Sequence, residues 1–206
     1  GILIDPFEPL TIAATYTQGG AAALSVLTDQ RFFKGSLKYL EGIRQQDSVA
    51  PDGHHPPLLR KDFIIDPYQV YEARAYGADA LLLIVAALTD AEIRTLYDLT
   101  YQLGMEVLVE VHDDHELKRA LDLGVAIIGV NNRNLHTFDV SLDVTAQVFA
   151  KIPRDRNIIL VSESGIFNAI DVATVGRNGA NAILVGEALI KAPDMLAKTR
   201  ELAGTR

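Results

Sequence analysis

Five short blocks carry the residues that could do chemistry. They read Leu59-Arg60-Lys61-Asp62-Phe63, Val109-Glu110-Val111-His112, Gly129-Val130-Asn131-Asn132-Arg133-Asn134, Ser162-Glu163-Ser164-Gly165 and Val185-Gly186-Glu187-Ala188. Each closes a short apolar run. In an extended segment every second side chain shares a face, so Leu59 and Lys61 point the same way, as do Leu108, Glu110 and His112. An inward lysine beside an inward glutamate is an acid and a base whose pKa values their surroundings can tune. Ser164-Gly165 and Gly186-Glu187 put glycine where backbone can approach a ligand closely and where the following N–H groups can hold a phosphate. A lone charge at the end of a run is ordinarily solvated, a glycine there is often a turn, and Asn131-Asn132-Arg133-Asn134 would also suit a plain polar loop. A lysine, two glutamates and an asparagine at successive run ends are harder to assign to solvent. His112 has the chemistry of a metal ligand. Its only neighbours at metal spacing are Asp113 and Asp114, which read as helix-start residues, so no metal is expected. Phe32, Phe33 and Phe63 are candidates for the core, Phe32 above all, and His54 and His55 read as solvated loop residues.

The runs that must position these residues recur steadily, over residues 21–27, 57–59 continuing into Arg60 and Lys61, 80–86, 105–111, 126–130, 157–161 and 182–185. Most are nearly continuous in Val, Ile and Leu, which is how strands buried on both faces of a parallel sheet read. Helical spacing fills the intervals. Residues 88–103 carry a stripe of Ile93, Leu96, Leu99, Thr100 and Leu103, with Thr89 as N-cap and Gly104 beyond the end. Asp113 or Asp114 opens a helix over residues 116–123, which Gly124 closes; Gly77 and Gly179 mark two more helix ends. Residues 45–57 read as a long surface loop. The repeating unit of strand, loop and helix predicts an eight-fold β/α barrel or a doubly wound sheet. No G-x-G-x-x-G follows the first strand, which counts against dinucleotide binding. Seven strands and about eight helices are predicted, and residues 9–19 open the chain as a helix, so either one barrel strand is missing at the front or the sheet is open.

Composition sets the outer limits. The 206 residues read as one domain, residues 1–206, with 19 basic and 27 acidic side chains, net charge −8 and no cysteine. That balance disfavours nucleic acid and anionic membranes as partners. The cysteine count excludes disulfides and thiolate chemistry and fits a reducing compartment, so a cytoplasmic location is expected. No run approaches the ~18 apolar residues of a membrane span.

The chain closely resembles the indole-3-glycerol-phosphate synthase family. The resemblance rests on GGAAALSVLTDQRFFKGS (residues 19–36), LLRKDFIIDPYQVYEAR (58–74), GMEVLVEVHD (104–113), IGVNNRNLHTF (128–138), VSESGI (161–166) and LVGEAL (184–189). It implies a (β/α)8 TIM barrel and, without any cofactor, closure of 1-(2-carboxyphenylamino)-1-deoxyribulose 5-phosphate to indole-3-glycerol phosphate with loss of CO₂ and water. Carried over by match, Lys61 is the general acid and Glu110 the general base, while Asn131 and Glu163 orient sugar hydroxyls and intermediates. Phe33, Phe63, Leu82, Ile84 and Leu135 line the apolar pocket for the aromatic ring, and Arg133 and Ser164 bind substrate. Gly165, Gly186 and Glu187 fall in the phosphate site, where the family often has serine in place of Glu187, whose carboxylate is therefore expected to turn to solvent. The family's first-strand motif, E-x-K-x-x-S-P-S, stands upstream of a glycine that looks like Gly1. These 206 residues alone are therefore expected to lack barrel strand one, to show little synthase activity, and to pair with the missing segment or self-associate through open strand edges. Two other readings fit part of the pattern: another sugar-phosphate barrel such as a phosphoribosyl isomerase, which leaves Lys61 with Glu110 unexplained, and a non-catalytic phosphate-binding fragment.

Overall fold

Seven parallel strands and the helices between them make up the computed structural model, which describes residues 6–46, 53, 55–134, 137, 139–153 and 157–204. The strands are β1 (Leu24–Leu27), β2 (Leu58–Lys61), β3 (Ala80–Ile84), β4 (Glu106–Val111), β5 (Ile127–Asn131), β6 (Ile159–Glu163) and β7 (Ala182–Leu184), hydrogen-bonded in that order. Among the described residues β1 and β7 stand at the two ends of the sheet. The helices are α1 (Pro9–Gln18), α2 (Leu37–Gln45), α3 (Pro67–Ala75), α4 (Asp90–Gln102), α5 (Asp114–Leu123), α6 (Asp143–Phe149), α7 (Ala169–Arg177), α8 (Glu187–Ile190) and α9 (Met195–Ala203). None is long and apolar enough to cross a membrane.

Local chemistry sets most of these boundaries. Thr89 caps α4 in a reciprocal capping box with Glu92, and Asp113 caps α5 by accepting from Glu116 N. Gly124 ends α5 in the left-handed conformation, φ 73°, which costs glycine nothing. Three predicted runs shift. Residues 21–23 are not strand, because Ala21 N is spent closing α1 onto Tyr16 O. The third run stops at Ile84, where Val85–Ala87 tightens into a 3-10 turn. The sixth is displaced towards its polar end: Asn131 pairs with Glu163 and Val130 with Ser162, so both polar residues lie within β6.

Period two divides the sheet into two faces. Leu81, Leu83, Val107, Val109, Ile128 and Val130 face the helices in the main core, together with Val70, Ile93 and Leu117. Leu59, Leu82, Leu108 and Val161 meet on the other face, with Ala80, Ile84, Ile127 and Leu184 against them. A flat sheet would hold β2 and β6 about 19 Å apart at the usual strand spacing. Their side chains meet in one cluster, so the sheet curls and encloses an interior. Tyr16 of α1 packs against both the main core and the small cluster of Ala188, Leu189 and Leu202, which ties the first helix to the last two.

Candidate active site

The interior layer of Leu59, Leu108 and Val161 is one pleat below Lys61, Glu110 and Glu163, so the alternation that buries the leucines also aims the charges inward. Lys61 Nζ lies 3.4 Å from Glu110 Oε2 and 3.7 Å from Glu163 Oε2. Both carboxyl side chains are about 2% exposed and the lysine 26%, so the ammonium is the part of the cluster that faces outward. Asn131 Nδ2 donates to Glu110 Oε1 at 3.3 Å, and Asn131 Oδ1 accepts from Arg133 N at 3.0 Å. Lys61, Glu110, Asn131 and Glu163 thus converge from four strands on one spot at the carboxyl ends of the sheet, where barrel enzymes hold their sites.

The flanking residues fix this cluster. Arg60, 3% exposed, points away from it and bonds Thr28 Oγ1, Gln69 O, Asp62 Oδ2 and Glu72 Oε2. That network clamps the backbone on both sides of Lys61. Asn132 is no loop residue in solvent: it donates to buried Ser162 Oγ and half-buried Ser164 O and accepts from buried Thr145. It holds the chain where Ser164 takes φ 66°, a backbone cost that a non-glycine residue accepts only when its surroundings impose it. At the next position a Cβ would lie 2.4 Å from Val140 Cγ1, which requires Gly165.

Two expectations need correction. Phe32, Phe33 and Phe63 are not core: they are 66, 53 and 41% exposed, and Phe63 stacks on Phe33 at 6.3 Å and meets Phe32 edge-on at 6.2 Å. They sit beyond the ends of β1 and β2, where Asp29 Oδ1 accepts from the N–H of Phe32 and Phe33 and turns the chain outward. Glu187 is not free in solvent: its side chain is 36% exposed, but the carboxylate bridges Arg133 at 2.9 Å and Lys191 at 2.7 Å. Gly186 caps the short α8 beside open space. Leu82 lies deep in the interior layer with Ile84 beside it; Leu135 and His54 lie outside the described residues.

The chain matches the indole-3-glycerol phosphate synthase family over residues 1–202. The indole-3-glycerol phosphate synthase of Roseiflexus sp. (strain RS-1) is 60% identical over 206 residues, covering 99% of this chain and 76% of that protein. That of Aromatoleum aromaticum is 50% identical over 99% of this chain and 74% of its own length. The chain belongs to the indole-3-glycerol phosphate synthase family. In fold it is also similar to thiamine phosphate pyrophosphorylase from Pyrococcus furiosus (TM-score 0.71, 19% identity, 95% of this chain and 87% of that one). The 3-hexulose-6-phosphate synthase of Salmonella typhimurium aligns with TM-score 0.70 at 15% identity, over 98% of this chain and 94% of that one.

Within this synthase-family chain, three acid–base groups at the site are displaced from their ordinary values. Burial pushes Glu163 up, the Glu110 charge adds to it, and Lys61 only partly offsets them, leaving it at about 8. Burial would also raise Glu110, but contact with His112 and the Lys61 charge outweigh it and hold the carboxyl at about 2. Burial alone would lower Lys61, yet Glu163 and Glu110 raise it. At neutral pH the cluster therefore holds an ammonium, a carboxylate and a neutral carboxylic acid. A proton donor and a proton acceptor sit within one side-chain reach of each other, beside a neutral hydrogen-bond donor.

Glu163 fits only because of Gly129, where a Cβ would lie 2.0 Å from Glu163 Oε1. Gly129→Ala should displace the carboxyl and destabilise the fold by roughly 1–3 kcal/mol, as overpacking in a closed interior does; urea unfolding of the two proteins measures it, and equal midpoints would mean that the carboxyl has room to move. Protonation gives a second test. Unfolded, Glu163 titrates near its ordinary 4.5, so its raised value contributes stability that is fully present below pH 4.5 and lost as pH rises through 8. Glu163→Gln removes that loss. Between pH 5 and 8.5 the stability of the variant relative to the parent should climb by a few kcal/mol, at ~1.4 kcal/mol per displaced unit; parallel pH–stability curves would show that Glu163 does not hold the proton.

Proposed function

We propose that the protein is an indole-3-glycerol phosphate synthase acting in the cytoplasm on a small sugar-phosphate substrate. The observation that carries this reading is the meeting of Lys61 Nζ with Glu110 and Glu163, at 3.4 and 3.7 Å, above an aliphatic interior in a chain of this family. The substrate, 1-(2-carboxyphenylamino)-1-deoxyribulose 5-phosphate, must become electrophilic at its sugar carbonyl. Lys61 gives that oxygen a proton as the ring carbon bearing the carboxylate attacks, forming the new C–C bond. CO₂ then leaves, and its bonding pair restores the aromatic ring. Refilled from solvent, Lys61 protonates the hydroxyl, which departs as water, expelled by the amine lone pair. Glu110 takes a proton from the methylene carbon of the new ring, the one next to nitrogen, and completes the pyrrole. Glu163 as a neutral acid and Asn131 as an amide hold the sugar hydroxyls and the departing oxygen.

The stacked Phe33 and Phe63, with Leu82 and Ile84 below, suit the aromatic ring. Arg133 suits the substrate carboxylate, which would take the place Glu187 now holds. The phosphate is assigned to Ser164, Gly165, Gly186 and the Glu187 N–H. The net charge of −8 gives no general attraction for a dianion. Local N–H groups and cations must therefore bind it. Appearance of indole fluorescence when the full-length protein is mixed with this substrate tests the assignment; a folded protein giving none would sink it.

A further inference from the structure

Glu110 uses its two oxygens differently. Oε2 faces Lys61, whereas Oε1 lies 3.2 Å from His112 Nε2 and 3.3 Å from Asn131 Nδ2. His112 continues the inward face of β4 two residues on and is 14% exposed. Its other nitrogen, Nδ1, lies 3.0 Å from Glu116 Oε2, and the same oxygen accepts from His112 N at 2.8 Å. Glu116 stands in the first turn of α5, where its N–H donates to Asp113 Oδ1, so the cap of the helix fixes the carboxylate that grips the histidine. Both ring nitrogens thus lie beside carboxylate oxygens, Nδ1 at hydrogen-bond distance and Nε2 in a charge contact without hydrogen-bond geometry, an arrangement that favours the doubly protonated imidazole.

We propose that His112 is a positioning residue of the synthase reaction: gripped by Glu116, it occupies Oε1 of Glu110 and so fixes Oε2 as the oxygen that works beside Lys61. This rests on the reading of Glu110 as the base. The titratable groups around His112 are Glu110 on its own strand, Glu116 on α5, Lys61 on β2 and, neutral at pH 7, Glu163 on β6. Burial disfavours the charged ring, but Glu110 and Glu116 outweigh that and raise it to about 9, in keeping with the geometry.

His112→Ala and His112→Gln in the full-length protein test it. For the alanine variant kcat should fall roughly 10-fold to 100-fold, the effect of a misplaced catalytic group, with KM within about threefold. The acid limb of its kcat profile should move up by about one pH unit, because a cation beside Glu110 is gone. His112→Gln keeps a donor near Oε1 and should recover part of kcat without restoring the acid limb. A merely structural histidine would lower the melting temperature and leave the acid limb in place, which overturns the proposal, as does kcat within twofold of the parent. Carbon-13 NMR titration of the Glu110 carboxyl, in parent and glutamine variant, reads the same effect without turnover. An upward shift supports the role of His112, and none refutes it, even if the parent makes no indole product and the proposed function fails.

Discussion

Lys61→Ala should lower kcat by roughly 10²–10⁴-fold, the usual loss on removing a positioned acid, while KM changes only a fewfold. The reason lies in how the side chain is held. Leu59 packs in the interior layer, so the pleat sends Lys61 to the same side. The Arg60 network with Thr28, Asp62 and Glu72 then prevents the strand end from twisting away. The two glutamates keep the ammonium protonated, although burial favours the neutral amine. Alanine removes the only one of the four converging side chains that carries a donated proton and a positive charge together. The phosphate and the aromatic ring are bound elsewhere, so ground-state affinity should persist. The experiment is steady-state kinetics of parent and variant with folding confirmed by circular dichroism; a turnover number that does not change would remove Lys61 from the mechanism. Lys61→Arg keeps the charge but not a readily lost proton, so it should not restore the rate.

How much of this was legible beforehand varied by residue, for physical reasons. Apolar runs, most of them nearly continuous, marked the seven strands, because the central strands are buried on both faces and leave few polar positions to interrupt them. Period two put Lys61, Glu110 and His112 on the inward face, since strand geometry depends only on neighbours in sequence. Where apolar character was the sole signal, it misled. The three phenylalanines were candidates for the core, yet they meet one another at the rim, since Asp29 turns the backbone of Phe32 and Phe33 outward. Ser162 and Glu163 closed their run as polar residues but belong to β6, where the pairing with Val130 and Asn131 continues. The bridge from Arg133 to Glu187 spans residues 54 apart, and nothing local announces it. His112 was weighed only as a metal ligand and set aside, though the glutamate four residues on, just inside a helix start, was a signal that the ring is gripped by a carboxylate. The unusual proton affinity of Glu163 depends on its burial and on its proximity to Glu110, both products of the curled sheet.

Glu110→Gln should retain substrate binding and lose kcat by roughly 10²–10⁴-fold. The amide keeps the shape of the side chain, and although its single oxygen can accept from only one of Asn131 and Lys61, the fold and the interior layer should be unchanged. It cannot accept a proton. A carboxyl held at about 2 is a weak base while its neighbours are charged, which makes the order of events decisive. Lys61 and His112 are the cations that hold it down. When Lys61 gives its proton to the substrate oxygen, one of them becomes neutral and the affinity of Glu110 for a proton rises. The base therefore strengthens once Lys61 has given its second proton, to the departing hydroxyl, which is the stage that needs it. Glutamine breaks this coupling at one end, so the variant should carry out condensation and decarboxylation but stall before the final proton loss. Rapid-quench analysis should find CO₂ released in a first turnover with no matching indole fluorescence. Full indole formation at the parent's rate, with the parent's pH profile, would move the base elsewhere, and Glu163, which already meets Lys61 at 3.7 Å, would be next to test.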